Sequence, residues 1–288
     1  MSVETTSGRG GEGSARLSPA TPRPATAETE ALARRLADTV AEAGALALAM
    51  TRAGVRSWTK GNDSPVTEAD MAVDAFLRRS LEALDPAVGW LSEESVDSPA
   101  RLAARRIWVV DPIDGTRAFM AGGEDWAVSA ALVEDGRPVA AALFAPVTRE
   151  MFTAIAGHGA MRNGAPLAAA PRSGLAGARI AGPPAQMDAI ARVAQVERMP
   201  RIRSLALRLA RVATGEIDLA LSASNSADWD LAAADLVVHE AAGRLTTHAG
   251  ARLIYNLPEP RHPALVCAGD ALHAATLATP ELSRFFSP

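Results

Sequence analysis

The spacing of apolar and polar residues predicts helices in the first part of the chain. Residues 1–26 are rich in Gly, Ser, Thr, Pro and Arg and contain few large apolar side chains. Such a segment buries too little surface to offset the entropy lost on ordering, so we expect a disordered tail. Ala and Leu then recur at helical spacing in residues 26–50 and again in residues 67–84. These two patterns predict two amphipathic helices.

The middle of the chain has the pattern of strands. Short runs rich in β-branched, aromatic and other apolar residues are separated by turn-forming pairs such as Asn163-Gly164 and by the segment Glu134-Asp-Gly-Arg137. They predict strands joined mostly by hairpin turns. The strands are expected at residues 88–91, 107–110, 126–133, 138–144 and 151–156.

From about residue 178 the patterns for strands and helices alternate. Strands are predicted at residues 178–182 and 217–221, and helices at residues 184–195, 205–215 and 228–242. Alternation of this kind is typical of an α/β unit. We therefore expect an α/β (α+β) fold, with an N-terminal α+β subdomain at residues 27–177 that carries a metal site. A C-terminal α/β subdomain at residues 178–288 is expected to complete that site.

Composition narrows the class of protein. The chain has 288 residues, 48% hydrophobic residues and a formal net charge of −4, which gives no electrostatic reason to expect a nucleic-acid polymer or a membrane as partner. The single cysteine, Cys267, lies in the apolar run ALVCA and is expected to be a buried thiol in a reducing compartment. With no apolar stretch of about 18 residues and no pattern of a signal peptide, we expect a soluble cytoplasmic protein.

The stretch WVVDPIDGT, residues 108–116, places two acids at the end of an apolar run. Pro112 has no backbone N–H, so the strand is predicted to end beside Asp111. Asp114 and Gly115 then favour a turn, and Thr116 is expected to cap a short helix. On local sequence alone, a turn without further function explains these residues equally well.

Three acids elsewhere change that balance. Glu93 follows the first predicted strand, Asp230 lies at the start of a predicted helix, and Thr67-x-x-Asp70 fits a helix-capping box. Two carboxylates about 4 Å apart repel by roughly 4 kcal/mol at an effective dielectric constant of 20, so a converging set needs a cation or a shared proton. Oxygen ligands without a Cys/His cluster favour Mg²⁺, Mn²⁺ or Ca²⁺ over zinc.

Four motifs together resemble the inositol monophosphatase family of Mg²⁺-dependent, lithium-sensitive phosphomonoesterases. They are Lys60-x-x-x-SPVTEAD, LSEES, WVVDPIDGT and DWDLAAADLVVHEAAG, in the order of the family and within about residues 30–280. The resemblance implies a layered αβαβα sandwich of the inositol monophosphatase and fructose-1,6-bisphosphatase type. It also implies two to three Mg²⁺ ions per site and a homodimer.

Site residues follow from the resemblance position by position. The metal-binding positions are Glu93, Asp111, the carbonyl of Ile113, Asp114 and Asp230. Thr116 and Asp70 match a hydroxyl–carboxylate pair that helps to activate water, with Glu93 as a further catalytic residue. For the substrate, Gly115 and Thr116 match a cradle of N–H groups for phosphate, Lys60 supplies charge or orders a loop, and Asp228 is expected to contact the substrate.

The resemblance leaves the substrate open. Family members that hydrolyse inositol phosphate or histidinol phosphate have a glutamate where this chain has Ala223. The segment SADWDLAA instead resembles the S-E-W-D-x-A-A motif of the 3'(2'),5'-bisphosphate nucleotidase branch, with Asp228 at the acidic position. We therefore expect a small phosphate monoester such as adenosine 3',5'-bisphosphate or its sulfated analogue as substrate. The alternatives are inositol 1-phosphate or histidinol phosphate, a phosphate-binding regulator without turnover, and a structural protein with an acidic turn.

Overall fold

The computed structural model describes residues 26–53, 56–59 and 65–282. Residues 1–25 of the predicted tail and Lys60 therefore lie outside the described residues. No helix in the described part of the chain is long and apolar enough to cross a membrane.

The predicted helices are confirmed to within a few residues at their ends. The helices are α1 Ala27–Ala53, α2 Glu68–Glu82, α3 Thr116–Met120, α4 Pro184–Val193, α5 Leu205–Ala213, α6 Asp228–Glu240 and α7 Asp270–Leu277. Thr67 caps α2 and Ser204 caps α5 with their side-chain oxygens, which satisfies backbone N–H groups that the first turn of a helix leaves without partners.

The first half of the described chain forms two sheets. β1 Ser57–Thr59 and β2 Pro65–Thr67 pair antiparallel. A seven-stranded sheet has the order β3-β4-β5-β6-β7-β8-β9, and only its β3–β4 pair is parallel. Its strands are β3 Gly89–Ser92, β4 Arg106–Asp114, β5 Ala127–Glu134, β6 Arg137–Ala145, β7 Glu150–Ile155, β8 Ala160–Arg162 and β9 Ala165–Pro166. The expected series of hairpins is thus confirmed for β5, β6 and β7, and the structure adds β8 and β9, which the pattern does not predict as strands.

The second half forms a mixed five-stranded sheet and a short strand pair. The strands are β10 Arg179–Ala181, β11 Glu197–Arg198, β12 Leu219–Ser222, β13 Ser226–Ala227, β14 Gly243–Thr247, β15 Arg261–His262 and β16 Leu265–Gly269. The sheet order is β11-β10-β12-β16-β14, and β13 pairs antiparallel with β15. Strand β13 ends at Ala227, directly before α6 begins at Asp228. Its pairing with β15 therefore fixes where that helix begins.

Helices and sheets stack in five layers. Alternate residues of β4 point to opposite faces of the seven-stranded sheet: Trp108 and Val110 join the core with α1 and α2, whereas Ile107 and Val109 join the core with α5 and α6. The other side of α5 and α6 packs on the five-stranded sheet, and α4 and α7 cover its far face. This αβαβα arrangement confirms the expected fold class.

Two local predictions at the end of β4 are wrong. The strand continues through Pro112 to Asp114, with a register shift between the pairs Asp111↔Ser129 and Asp114↔Ala127. A bulge of this kind removes the proline from the ladder, where its missing N–H would leave a partner unsatisfied. The cap of α3 is Gly115, in a left-handed conformation with φ of 96°, and Thr116 is the first helical residue. A side chain at position 115 would also place its Cβ 2.9 Å from the Asp125 carbonyl oxygen.

Candidate active site

A cleft of about 390 Å³ opens at the carboxyl end of β4, where the start of α3, the loop before α5 and the start of α6 meet. All five predicted metal-binding residues line this cleft, together with Gly115 and Thr116. The lining residues are Pro65, Glu93, Asp111, Ile113, Asp114, Gly115, Thr116, Arg117, Arg201, Arg203 and Asp230.

Three carboxylates converge in the cleft. Asp111, Asp114 and Asp230 each present one oxygen atom, and these atoms lie within 4.8 Å of one another. Burial raises the pKa of Asp111 well above its usual range, and the charge of Glu93 adds to the shift. Burial, followed by the charge of Asp114, raises the pKa of Asp230 to about 7. The cause in each case is the cost of holding negative charge in a confined acidic site, and a divalent cation removes that cost.

Asp114 is held by the start of α5. Its Oδ2 accepts hydrogen bonds from the Ser204 hydroxyl at 2.5 Å and the Ala206 N–H at 2.7 Å, and its Oδ1 lies 3.2 Å from the Leu205 nitrogen. Burial raises the pKa of Asp114, and these hydrogen bonds oppose the shift without cancelling it. The positive end of α5 therefore fixes the orientation of a predicted metal ligand.

Asp70 has two roles, one for each carboxylate oxygen. Its Oδ2 accepts from the Thr67 N–H at 2.7 Å and the Thr67 hydroxyl at 2.6 Å, which confirms the capping box. Its Oδ1 lies 3.4 Å from the hydroxyl of Thr116, which is also 3.1 Å from the Ile113 carbonyl oxygen. The hydrogen bonds from Thr67 orient the carboxylate of Asp70. Its Oδ1 therefore lies beside the hydroxyl of Thr116, the predicted catalytic group.

Asp230 repeats this arrangement at the start of α6. Its Oδ2 accepts a hydrogen bond from the Ala227 N–H at 2.7 Å, so one oxygen caps the helix. Asp230 also presents one carboxylate oxygen to the acidic cluster. The Asp230 side chain therefore both caps α6 and belongs to the candidate metal site.

Glu93 is placed by the end of β3 and by α2. Its N–H donates to the Val110 carbonyl oxygen at 3.3 Å, which extends the pairing of β3 with β4. On either side of it, the hydroxyls of Ser92 and Ser95 donate to the carboxylate of Asp74. These contacts fix the loop that brings Glu93 beside Asp111.

Asp228 does not line the cleft. It is 1% exposed and accepts hydrogen bonds from His262 Nε2 at 2.7 Å and from the Asn256 N–H at 2.8 Å. This placement contradicts the expected direct contact with substrate. The reason is helical geometry: two residues along a helix rotate a side chain by about 200°, so Asp228 and Asp230 leave α6 on opposite sides.

Three arginines in the cleft were not predicted from the sequence. Arg117 follows the first residue of α3, and Arg201 and Arg203 lie in the loop before α5. The acidic segment at residues 121–126 fixes that loop, because Asp125 Oδ2 accepts from the Arg203 N–H at 2.7 Å and the Asp125 carbonyl accepts from the Ser204 N–H at 3.1 Å. The signal available in the sequence was the basic stretch RIRS directly before a capped helix.

A family model described as the inositol monophosphatase family matches residues 25–281. The chain belongs to this family. Members are phosphatases that hydrolyse phosphate monoesters, so the chain is a phosphatase, as the resemblance implied.

Individual relatives span several named activities. The phosphatase is 36% identical over 203 residues to a histidinol-phosphatase from Mycobacterium tuberculosis, which covers 66% of this chain and 76% of the relative. It is 42% identical over 101 residues to the 3'(2'),5'-bisphosphate nucleotidase CysQ of Salmonella typhimurium, covering 34% of this chain and 40% of the relative. The crystal structure of the extragenic suppressor protein SuhB from Bartonella henselae is 26% identical, with a TM-score of 0.77, and covers 89% of this chain and 98% of that chain.

Proposed function

We propose that the phosphatase uses Mg²⁺ to remove one phosphate from a 3'(2'),5'-bisphosphate nucleotide such as adenosine 3',5'-bisphosphate. The observation that carries the proposal is the charge distribution of the cleft. The acidic cluster of Asp111, Asp114 and Asp230 lines the cleft, and so do three arginines. A substrate with two phosphates uses both features.

The donor set fits Mg²⁺. Glu93, Asp111, Asp114 and Asp230 supply carboxylate oxygens and Ile113 supplies a carbonyl, and hard oxygen donors of this kind are the usual protein ligands of Mg²⁺. We propose that these residues hold two to three ions. When bound, Mg²⁺ lowers the pKa of water and neutralises charge on the phosphoryl oxygens and the leaving oxygen.

Thr116 and Asp70 are proposed to orient the attacking water. With its proton directed to Asp70 Oδ1, the Thr116 hydroxyl presents a lone pair that accepts a hydrogen bond from water. Asp70 keeps its position because its other oxygen is held by both polar groups of Thr67. Glu93, also in the cleft, is proposed to act as a further base or ligand, and the N–H groups at Gly115 and Thr116 to bind the transferred phosphate.

The arginines are proposed to bind the phosphate that is not transferred. A guanidinium matches two phosphate oxygens with a pair of parallel hydrogen bonds. Asp125 holds the backbone N–H groups of Arg203 and Ser204, and both Arg201 and Arg203 line the cleft. Similarity to the bisphosphate nucleotidase CysQ and the presence of Ala223 in place of the family glutamate support the same choice.

The direct test measures release of phosphate by the purified protein with Mg²⁺. The panel contains adenosine 3',5'-bisphosphate, adenosine 5'-monophosphate, inositol 1-phosphate, histidinol phosphate and fructose 1,6-bisphosphate. The proposal expects the highest kcat/KM with adenosine 3',5'-bisphosphate. A preference for any monophosphate contradicts the choice of substrate, and no release from any compound contradicts the proposed activity.

The role of the arginines has its own control. Arg203→Ala and Arg201→Ala should each raise KM for the bisphosphate about tenfold, in line with the loss of a hydrogen bond to a charged group, and change KM for a monophosphate such as inositol 1-phosphate little. Arg35→Ala, which removes an exposed positive charge on α1, is the matched control. An equal effect of all three variants indicates only long-range attraction of a negatively charged substrate.

One observation favours a second candidate, histidinol phosphate. The histidinol-phosphatase relative matches over a longer stretch than the nucleotidase does. Ala223 is exposed and does not line the cleft, so Ala223→Glu tests whether an acid there confers activity on histidinol phosphate or inositol 1-phosphate. Inhibition by lithium and a homodimer remain proposals from the family resemblance. Titration with LiCl tests the inhibition, and analytical sedimentation tests the dimer.

A further inference from the structure

The buried carboxylate of Asp228 binds groups of the protein itself and does not face the cleft. His262 Nε2 donates to its Oδ1 at 2.7 Å, and the Asn256 N–H donates to its Oδ2 at 2.8 Å. Both partners lie in the segment at residues 256–262, and His262 is itself only 8% exposed. Both carboxylate oxygens of Asp228 are therefore committed to this segment.

The same segment holds the residues on either side of Asp228. In the β13–β15 pair, Ser226 is opposite His262 and Ala227 is opposite Arg261. The Asp228 N–H donates to the Pro260 carbonyl oxygen at 3.1 Å, and the guanidinium carbon of Arg261 lies 5.2 Å from the ring centre of Trp229. The start of α6 is thus fixed up to the residue before Asp230.

A second connection runs from this segment to the loop that follows Glu93. Arg101, which is 3% exposed, donates to the Asn256 side-chain oxygen at 2.8 Å and to the Leu257 carbonyl oxygen at 3.0 Å. Its guanidinium also forms a two-point ion pair with Asp97, at 2.6 and 2.9 Å. Residues 256–262 therefore link the neighbourhoods of two predicted metal ligands, Glu93 and Asp230.

We propose that Asp228 and His262 form a positioning pair that holds the start of α6 so that Asp230 points into the acidic cluster. This inference rests on the proposed role of Asp230 as a metal ligand. The physical need for such a pair is clear: the carboxylates of Asp111, Asp114 and Asp230 repel one another, and the end of a helix that carries one of them moves away unless other contacts hold it. Partners that orient a metal ligand commonly contribute 10- to 100-fold to metal affinity.

The test measures binding of Mn²⁺ to the purified full-length protein by electron paramagnetic resonance, in parallel with thermal unfolding. Asp228→Ala should weaken binding of Mn²⁺ about 10-fold or more, while KM for substrate at saturating Mg²⁺ changes less than twofold. Asp235→Ala is the matched control, because Asp235 is a second buried acid of α6 and accepts a hydrogen bond from the Tyr255 hydroxyl at 3.0 Å. It should lower the melting temperature and leave the affinity for Mn²⁺ unchanged.

A second pair of variants acts from the other side of the contact. His262→Leu removes the donor to Asp228 and should weaken binding of Mn²⁺, whereas His262→Asn keeps a donor and should restore at least part of the affinity. These variants decide the question if Asp228→Ala does not fold.

Each contrary outcome has a distinct meaning. If the unmodified protein binds no Mn²⁺, the proposed metal site itself is wrong. If it binds Mn²⁺ and both Asp228→Ala and His262→Leu bind equally well, only the positioning role is wrong. A raised KM for substrate with unchanged affinity for Mn²⁺ would instead return Asp228 to a substrate contact, and an equal loss in Asp235→Ala would reduce the effect to general destabilisation.

Discussion

The two sides of the cleft are built in different ways. At the end of β4, the acids, the carbonyl and the hydroxyl come from residues 111–116, and their arrangement depends on a bulge at Pro112 and a left-handed Gly115. On the other side, Ser204 and Asp230 lie at the starts of α5 and α6. They reach the cleft because those two helices pack between the two large sheets. The first side depends on local backbone geometry, and the second depends on the packing of the whole molecule.

Asp114 joins the two sides, so its substitution should have the largest effect. It lines the acidic cluster and also accepts hydrogen bonds from the start of α5. Asp114→Asn should lower kcat on the order of 10³-fold, because several kcal/mol of charge stabilisation by bound metal is lost. Steady-state release of phosphate measures it, with Asp135→Asn in the exposed turn between β5 and β6 as the control. A phosphate-binding regulator has no hydrolytic activity to lose. If the parent protein and both variants all release no phosphate, that class is favoured.

Removal of the Thr116 hydroxyl tests the first side alone. Thr116→Val keeps the shape of the side chain and should lower kcat about 10²-fold, the lower range of contributions from groups that activate a nucleophile. Thr116→Ser keeps the hydroxyl and should retain most of the activity. Equal activity of the Val and Ser variants would show that the contact of 3.4 Å with Asp70 has no role in turnover.

Ser204 tests the second side with a smaller effect. Ser204→Ala removes a hydrogen bond to Asp114 and the cap of α5, so affinity for Mg²⁺ should fall about tenfold. Isothermal titration calorimetry measures the affinity, and Ser204→Thr, which keeps the hydroxyl, should stay within about threefold of the parent protein. An unchanged affinity in Ser204→Ala would mean that the strand end positions Asp114 without help from α5.

The smallest expected effect is on stability as a function of pH in the presence of EDTA. The pKa values of Asp111, Asp114 and Asp230 are raised in the folded chain, Asp230 to about 7, so the folded state binds more protons than the unfolded state above pH 4 or so. The stabilisation from these groups is complete below pH 4 and is lost as pH rises through the folded pKa values. The melting temperature should therefore fall by a few degrees between pH 5 and pH 8.

Two comparisons isolate the cause of that fall. Added Mg²⁺ should raise the melting temperature more at pH 8 than at pH 5, because the ion binds the deprotonated carboxylates. Asp230→Asn should flatten the dependence on pH near pH 7. A melting temperature that rises with pH in EDTA, or an unchanged slope in Asp230→Asn, would contradict the assignment to this cluster.

Prediction from the sequence was most complete where neighbouring residues determine the structure. The capping box of Thr67 and Asp70 was read correctly, and the ligand candidates on β4 were found from one short motif. The cap at Gly115 was missed, because the choice between Gly115 and Thr116 depends on how closely the Asp125 carbonyl approaches. The arginines of the loop before α5 were missed for a related reason, since a basic stretch in the sequence does not show which surface it faces.

The sequence by itself determined the periodic helices and strands, the acidic set and the family, because periodicity, turn residues and motif order are local properties. Only the tertiary structure decided that Asp228 is buried against His262 while Asp230, two residues away, joins Asp111 and Asp114. The physical reason is that the direction of each side chain depends on where α6 begins. That point is set by the β13–β15 pair and by the packing of α6 between two sheets, which are contacts between residues far apart in the chain.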